Sequence, residues 1–238
     1  MRLPLHLLAV PLAVLALTLP ATAWAQGAPL PPKDIRLDQF ARDTQRTYIG
    51  EDTMELVWLI PQRYWEASAA QQPSLSDEDR KRFLAQLDGY LLLATVRGKV
   101  GMAGIDEFAS ADTVLKGLRI VDAAGTSHAP LPQAQVPAQL KNLLSVLRPV
   151  MANMIGPMGD NMHFAVFKAR DAKGRPVFDS LSEGRAQVIT SRHAYPFRTP
   201  LGSVLAPRRD PATGESFPGD YHYNPYTGGA LQDAAQPH

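Results

Sequence analysis

Apolar runs and polar breaks divide the chain into alternating strands and helices. Thr53 to Ile60 reads TMELVWLI, with Glu55 as its only charge. A mostly apolar run of that length predicts a buried strand. Tyr90 to Val96, Met162 to Ala169 and Ala186 to Thr190 have the same character. Arg97-Gly98-Lys99 reads as a tight turn, so Tyr90–Val96 and Val100–Phe108 predict a β-hairpin. Thr113 to Asp122 reads as one more strand.

Helical spacing marks other stretches. Ile35, Leu37, Phe40, Ala41 and Thr44 recur at intervals of one face, which predicts a short helix. Pro61 opens a second, with Tyr64 and Trp65 in its first turns. Ser76 with Asp79 three residues on forms an acidic variant of the capping box. It starts a helix whose stripe is Phe83, Leu84 and Leu87. The longest helix runs from Ala138 to Ile155 on Leu140, Leu143, Leu144, Leu147, Met151 and Met154, and Pro149 is expected to kink or divide it.

These elements predict an α+β fold. A largely antiparallel sheet of about six or seven strands is expected, packed on one face by the helices near 76–87 and 138–155. The core domain spans residues 34–192. From His193 the chain is crowded with Pro, Gly and Tyr, so residues 193–231 are expected as an ordered but irregular tail and 232–238 as mobile. Residues 26–33, QGAPLPPK, have little to bury and are expected to be flexible.

The first residues change the picture of where the chain works. Arg2 precedes an apolar run from Leu3 to Leu19, and Ala23-Trp24-Ala25 follows. That order is a secretory signal peptide with cleavage near Ala25, so residues 1–25 are expected to be removed. A periplasmic or extracellular location follows as an expectation. No later run is long enough for a membrane span, which needs about 20 residues, so no integral membrane segment is expected after cleavage. There is no cysteine, hence no disulfide framework, and the core alone must stabilise the domain. The 24 basic and 23 acidic residues nearly cancel. Bulk charge therefore offers no field for nucleic acid.

Candidate chemistry centres first on Met151, Met154, Met158, Met162 and His163. Thioethers are soft ligands that suit copper(I), and His163 would accept copper(II). The same spacing is what a core stripe gives, and Met162 and His163 point to opposite faces if both lie in a strand. A second feature is an internal repeat. Asp210-Pro211-Ala212-Thr213-Gly214 recurs as Asn224-Pro225-Tyr226-Thr227-Gly228. Each copy has the residues of a type I turn, with Asp210 or Asn224 first and Gly214 or Gly228 last. In form the pair is similar to the two knuckles of a rubredoxin-like or zinc-ribbon element, which read Cys-Pro-x-Cys-Gly. With Asp210, Thr213, Asn224 and Thr227 in place of the cysteines, the resemblance implies two structural turns held by hydrogen bonds.

Catalytic signatures are sparse. There is no HExxH, no Gly-x-Ser-x-Gly elbow and no phosphate-cradling glycine loop. Asp106-Glu107 are neighbours and should face opposite ways on a strand. Asp220 and His222 would share a face if extended. An enzyme would show a polar cleft holding Asp106, Glu107, His163 or His193. A binding module would expose aromatic surface from Tyr64 and Trp65 or from Tyr221, Tyr223 and Tyr226. The sequence favours a non-catalytic accessory or interaction module whose partner is another exported or envelope protein. No cofactor is expected, with copper as the alternative, and a hydrolase-type enzyme is the third reading.

Overall fold

The computed structural model describes residues 27–102 and 104–233, apart from the side chains of residues 150–155. Residues 1–26, where the signal peptide is expected, residue 103 and residues 234–238 lie outside the described residues.

One long strand organises the first sheet. β3 (Tyr90–Gly101) pairs along its length with β2 (Thr53–Ile60), which pairs in turn with β1 (Gln45–Ile49). On its other edge β3 takes β7 (His163–Lys168) at Tyr90–Thr95 and β4 (Gly104–Phe108) at Gly98–Gly101. All of these pairings are antiparallel.

Both faces of this sheet are covered, which is why β2, β3 and β7 read as near-continuous apolar runs. Trp58, Ile60, Leu92, Ala94, Phe164 and Val166 face the helices. α1 (Leu37–Thr44) brings Phe40, α2 (Gln62–Ala70) brings Tyr64 and Trp65, and α3 (Asp77–Leu87) brings Leu87. Ser76 caps α3 by accepting a hydrogen bond from the Asp79 amide. α5 (Ala138–Ile155) packs with Leu140, Leu143, Leu144 and Leu147. Pro149 lies inside α5, which is one helix and is not divided.

The opposite face, with Val57, Leu59, Leu91, Leu93, Ala165 and Phe167, packs on a second sheet. That sheet orders β6 (Ser127–His128), β5 (Arg119–Val121), β8 (Gly184–Ile189) and β9 (Ala194–Thr199). α4 (Ala111–Leu115) precedes β5 where one longer strand is expected, and Gly117, at φ 72°, makes the bend between them. The short α6 (Pro157–Asp160) links α5 to β7. A third small sheet joins β11 (Ser216–Phe217), β10 (Arg208–Arg209) and β12 (Gln232–Asp233).

The α+β class and the antiparallel pairing are thus present, but the strands are shared among three sheets and do not form one sheet of six or seven. The reason lies in burial. β9 alternates strictly between exposed and buried residues, so it has one apolar face to hide. It hides that face against the first sheet and does not extend the sheet's edge. β9 falls at the head of the stretch read as irregular tail. Gln232 and Asp233, expected to be mobile, pair with Arg209 and Arg208 in β10. Residues 27–30 run extended beside residues 204–206, with Leu30 N donating to Val204 O and Ala206 N donating to Ala28 O.

Candidate functional site

Two polar groups of side chains stand out, one closed and one open. The closed one lies between the two sheets. Glu55 on β2 and Arg97 on β3 are direct cross-strand partners. Both share the inter-sheet face with Val57 and Leu59, so both are carried out of water, with Glu55 0% and Arg97 5% exposed. Arg97 Nε donates to Glu55 Oε1 at 2.9 Å, and Arg97 Nη2 donates to the same oxygen. Oε2 accepts from Tyr195 Oη at 2.7 Å, from Thr190 Oγ1 at 3.0 Å and from the His193 ring nitrogen Nδ1 at 3.1 Å. The Tyr48 ring lies 3.9 Å from that of His193. Burial pushes the Glu55 carboxyl up. The hydrogen bonds from Tyr195, Arg97 and His193, with the Arg97 charge, outweigh it and hold the carboxyl below its usual range. A carboxylate this fully answered by its own chain clamps β2 and β3 to β8 and β9 and leaves nothing for a ligand.

The open group lines a cleft of about 720 Å³ between α1 and the tail. Thr44 pins the end of α1, taking a hydrogen bond from Trp58 Nε1 at 3.1 Å and donating to Phe40 O at 2.8 Å. Asp43, one residue earlier, therefore turns toward the tail, where its Oδ2 accepts the Ser203 amide at 3.0 Å. Ser203 sits in a single 3-10 turn, Gly202–Val204. It is 8% exposed, and its Oγ is buried with no hydrogen-bond partner. Asp220 Oδ1 is likewise buried without a partner. It rests on Gly202, where a Cβ would collide with it. Gly219 is held so close to Leu205 and Ala206 that a side chain there would clash with both. Burial pushes the Asp220 carboxyl up. A hydrogen bond from its own backbone amide pulls the other way, as do Arg198 and His222, while the Asp43 charge adds to the rise. Tyr221, 40% exposed, stands at the rim.

The residues singled out from sequence fall elsewhere, with partial overlap. Tyr64 and Trp65 are each 8% exposed and sit in the helix-side core. They are packing residues and not the binding surface proposed for them, because α2 turns that face onto Trp58 and Phe40. Tyr221, Tyr223 and Tyr226 are exposed on the tail, Tyr226 at 83%. Met162 is fully buried beside Phe164, and Met158 packs partly buried against the same core. The side chains of Met151 and Met154 lie outside the described residues. His163 follows the strand alternation onto the face opposite Met162, and its Nε2 donates to Ala109 O at 3.3 Å. Among the described residues, no three His, Cys, Asp or Glu side chains are grouped to hold a metal ion. Glu107 lines a small cleft with Lys99 and Arg192, and Asp106 does not. His193 belongs to the Glu55 clamp. Asp43, Ser203, Glu55 and Arg97 were not foreseen as site residues.

The two Asx-Pro-x-Thr-Gly copies form matching turns. Asp210 Oδ1 accepts the Ala212 amide and Asn224 Oδ1 the Tyr226 amide, each at 2.8 Å. Gly214 and Gly228 close them at φ 75° and 72°. Asn224 Nδ2 donates to Asp210 Oδ2 across the pair, and both residues are buried, at 2% and 4%. Asn224→Ala removes one turn's anchor and leaves the Asp210 oxygen without its donor. A loss of about 1–3 kcal/mol in stability is expected from chemical denaturation. A loss of a few tenths would mean that the tail is not part of the cooperative unit.

Comparison with known proteins finds no matching family model, no matching curated protein and no matching solved structure.

Proposed function

We propose that the chain is an exported, non-catalytic accessory module that holds part of a partner in the cleft between α1 and the tail. One observation carries the reading. Ser203 Oγ and Asp220 Oδ1 are both buried at this cleft and make no hydrogen bond. Folding leaves such groups unanswered only at a cost of about 1–3 kcal/mol each. A chain that keeps two of them in one cleft is arranged for something that arrives later. Export rests on the signal-like N-terminus, and the exposed Tyr221, Tyr223 and Tyr226 supply contact surface beside the cleft. No helix among the described residues is long and apolar enough to cross a membrane.

The test compares Ser203→Ala and Asp220→Asn with the wild type by thermal unfolding. If the atoms serve a ligand, neither change removes a native contact. Asp220→Asn also removes a carboxylate that burial disfavours. The folded Asp220 value lies above the unfolded one. The native state therefore holds the proton more tightly, and stability falls as pH rises through the folded value. At neutral pH Asp220→Asn should thus match or exceed the wild-type midpoint, and Ser203→Ala should match it. A clear loss in both would make them structural and overturn the reading.

A hydrolase-type enzyme is the second reading. It is favoured by the same cleft, where one carboxyl is pushed up beside another, Asp43. Turnover of a bound ligand, followed by NMR of the ligand over hours, separates it from plain binding. Copper handling by the methionines has less support, since Met162 and His163 lie on opposite faces and Met162 is wholly in the core.

A further inference from the structure

We infer that the group this cleft takes is an alkylammonium cation, the end of a lysine side chain, a chain N-terminus or a free amine. The inference rests on the binding reading above and names its ligand class. The charges that line the cleft are unequal once their existing partners are counted. Arg36 and Arg42 both turn to Asp38, at 3.3 and 2.8 Å. Two cations on one carboxylate leave a single positive charge against the carboxylates of Asp34, Asp43 and Asp220, with Arg198 facing Asp220 from the adjoining pocket. The unanswered oxygens are also contiguous. Asp43 is tied to the Ser203 amide, and Asp220 Oδ1 rests on Gly202, the neighbouring residue.

An ammonium group is three donors and no acceptor on one nitrogen. It answers a hydroxyl and two carboxylates with no unmatched atom of its own. A carboxylate or phosphate would bring acceptors to acceptors. A neutral polyol would supply donors without the attraction between opposite charges that a partly desolvated site strengthens. Tyr221 at the rim, stacked on Phe217, adds aromatic surface, which also favours a cation. About 720 Å³ leaves room for the alkyl stem of a lysine and for flanking backbone.

The test is calorimetric titration of the purified protein at neutral pH and low salt with four probes. They are cadaverine, an acetylated and amidated Gly-Lys-Gly peptide, pentanediol and glutarate. Both amines are expected to bind, and the diol and the diacid are not. Tighter binding of the peptide would assign the ligand to a partner's lysine, and tighter binding of cadaverine to a free amine. Asp220→Asn should weaken amine binding about tenfold or more, and added salt should weaken it further. Lowering the pH until Asp220 takes up its proton should mimic the substitution in the wild type and change nothing in the variant. Equal binding of pentanediol would overturn the ammonium assignment and leave the cleft as a binding site. Failure of both amines overturns the inference as well. If Ser203→Ala and Asp220→Asn also unfold earlier than the wild type, the binding reading falls with it.

Discussion

Glu55→Ala is expected to cost about 3–5 kcal/mol, enough to threaten folding in a domain of ordinary stability. The size comes from what the substitution leaves behind. Arg97 is 5% exposed and its Nε and Nη2 both point at Glu55 Oε1. Without the carboxylate a guanidinium stays buried, answered only by Ser191 Oγ at 3.1 Å. Tyr195, Thr190 and His193 lose their acceptor in the same stroke. Glu55→Gln keeps the shape and an acceptor oxygen, so it should lose less than alanine. The pH dependence has a definite sign. The Glu55 carboxyl is held lower in the folded chain than in the unfolded one. The unfolded state therefore binds the proton more readily. The clamp's stabilisation is complete above the ordinary glutamate value of about 4.3 and is lost as pH falls through the lower folded value. Burial and Glu55 also push the Tyr195 hydroxyl far up, so its contribution is lost in the opposite direction, above about pH 10. Urea denaturation of wild type and Glu55→Gln across acid pH should show the two curves converging. A parallel offset down to pH 3, or a loss below about 1 kcal/mol for alanine, would remove Glu55 from the role of clamp.

That clamp was partly visible in the sequence. Glu55 is the one charge in TMELVWLI, and strand alternation puts it on a face with Val57 and Leu59. A charge on a buried face needs a partner, and the partner was hidden by a wrong turn. Arg97-Gly98-Lys99 reads as a tight turn because Gly and flanking cations favour one. β3 instead stays extended to Gly101, because β2 continues opposite it with Thr53 at Lys99. The cross-strand pair follows only from that register. Local chemistry was far easier to read. Ser76 with Asp79, and the two Asx-Pro-x-Thr-Gly stretches, make their hydrogen bonds within a few residues, so the pattern and the structure share one scale. The cleft was beyond reach for the converse reason. Asp43 and Ser203 meet across 160 positions of chain, and Asp220 reaches Gly202 only because Gly219 lets the tail lie against Leu205 and Ala206. Nothing in the spacing of these residues announces such a meeting. The division into separate sheets was missed because an apolar alternation says that a strand has a face to bury and does not say against what.

Phe167→Ala is expected to be the second severe change, at about 3–5 kcal/mol. Phe167 on β7 is fully buried and lies opposite Leu91 on β3. Its ring faces the second sheet, in the layer that holds Leu93, Val188 and Phe197. Removing it opens a cavity between two sheets. Each sheet is stiffened by its own ladder, so neither can collapse freely into the gap, and the loss should fall in the upper part of that range. Phe167→Leu should cost markedly less, since it refills most of the volume. The same variant asks whether the layers unfold as one. Trp58 and Trp65 report on the opposite, helix-side core. If the first sheet couples both cores, their fluorescence and the far-ultraviolet circular dichroism will move to lower urea together, with one midpoint. A fluorescence midpoint left at its wild-type position while the dichroism shifts would show that the helix-covered sheet holds without the second sheet. The Glu55 clamp would then join two separable layers and would not lock a single cooperative one.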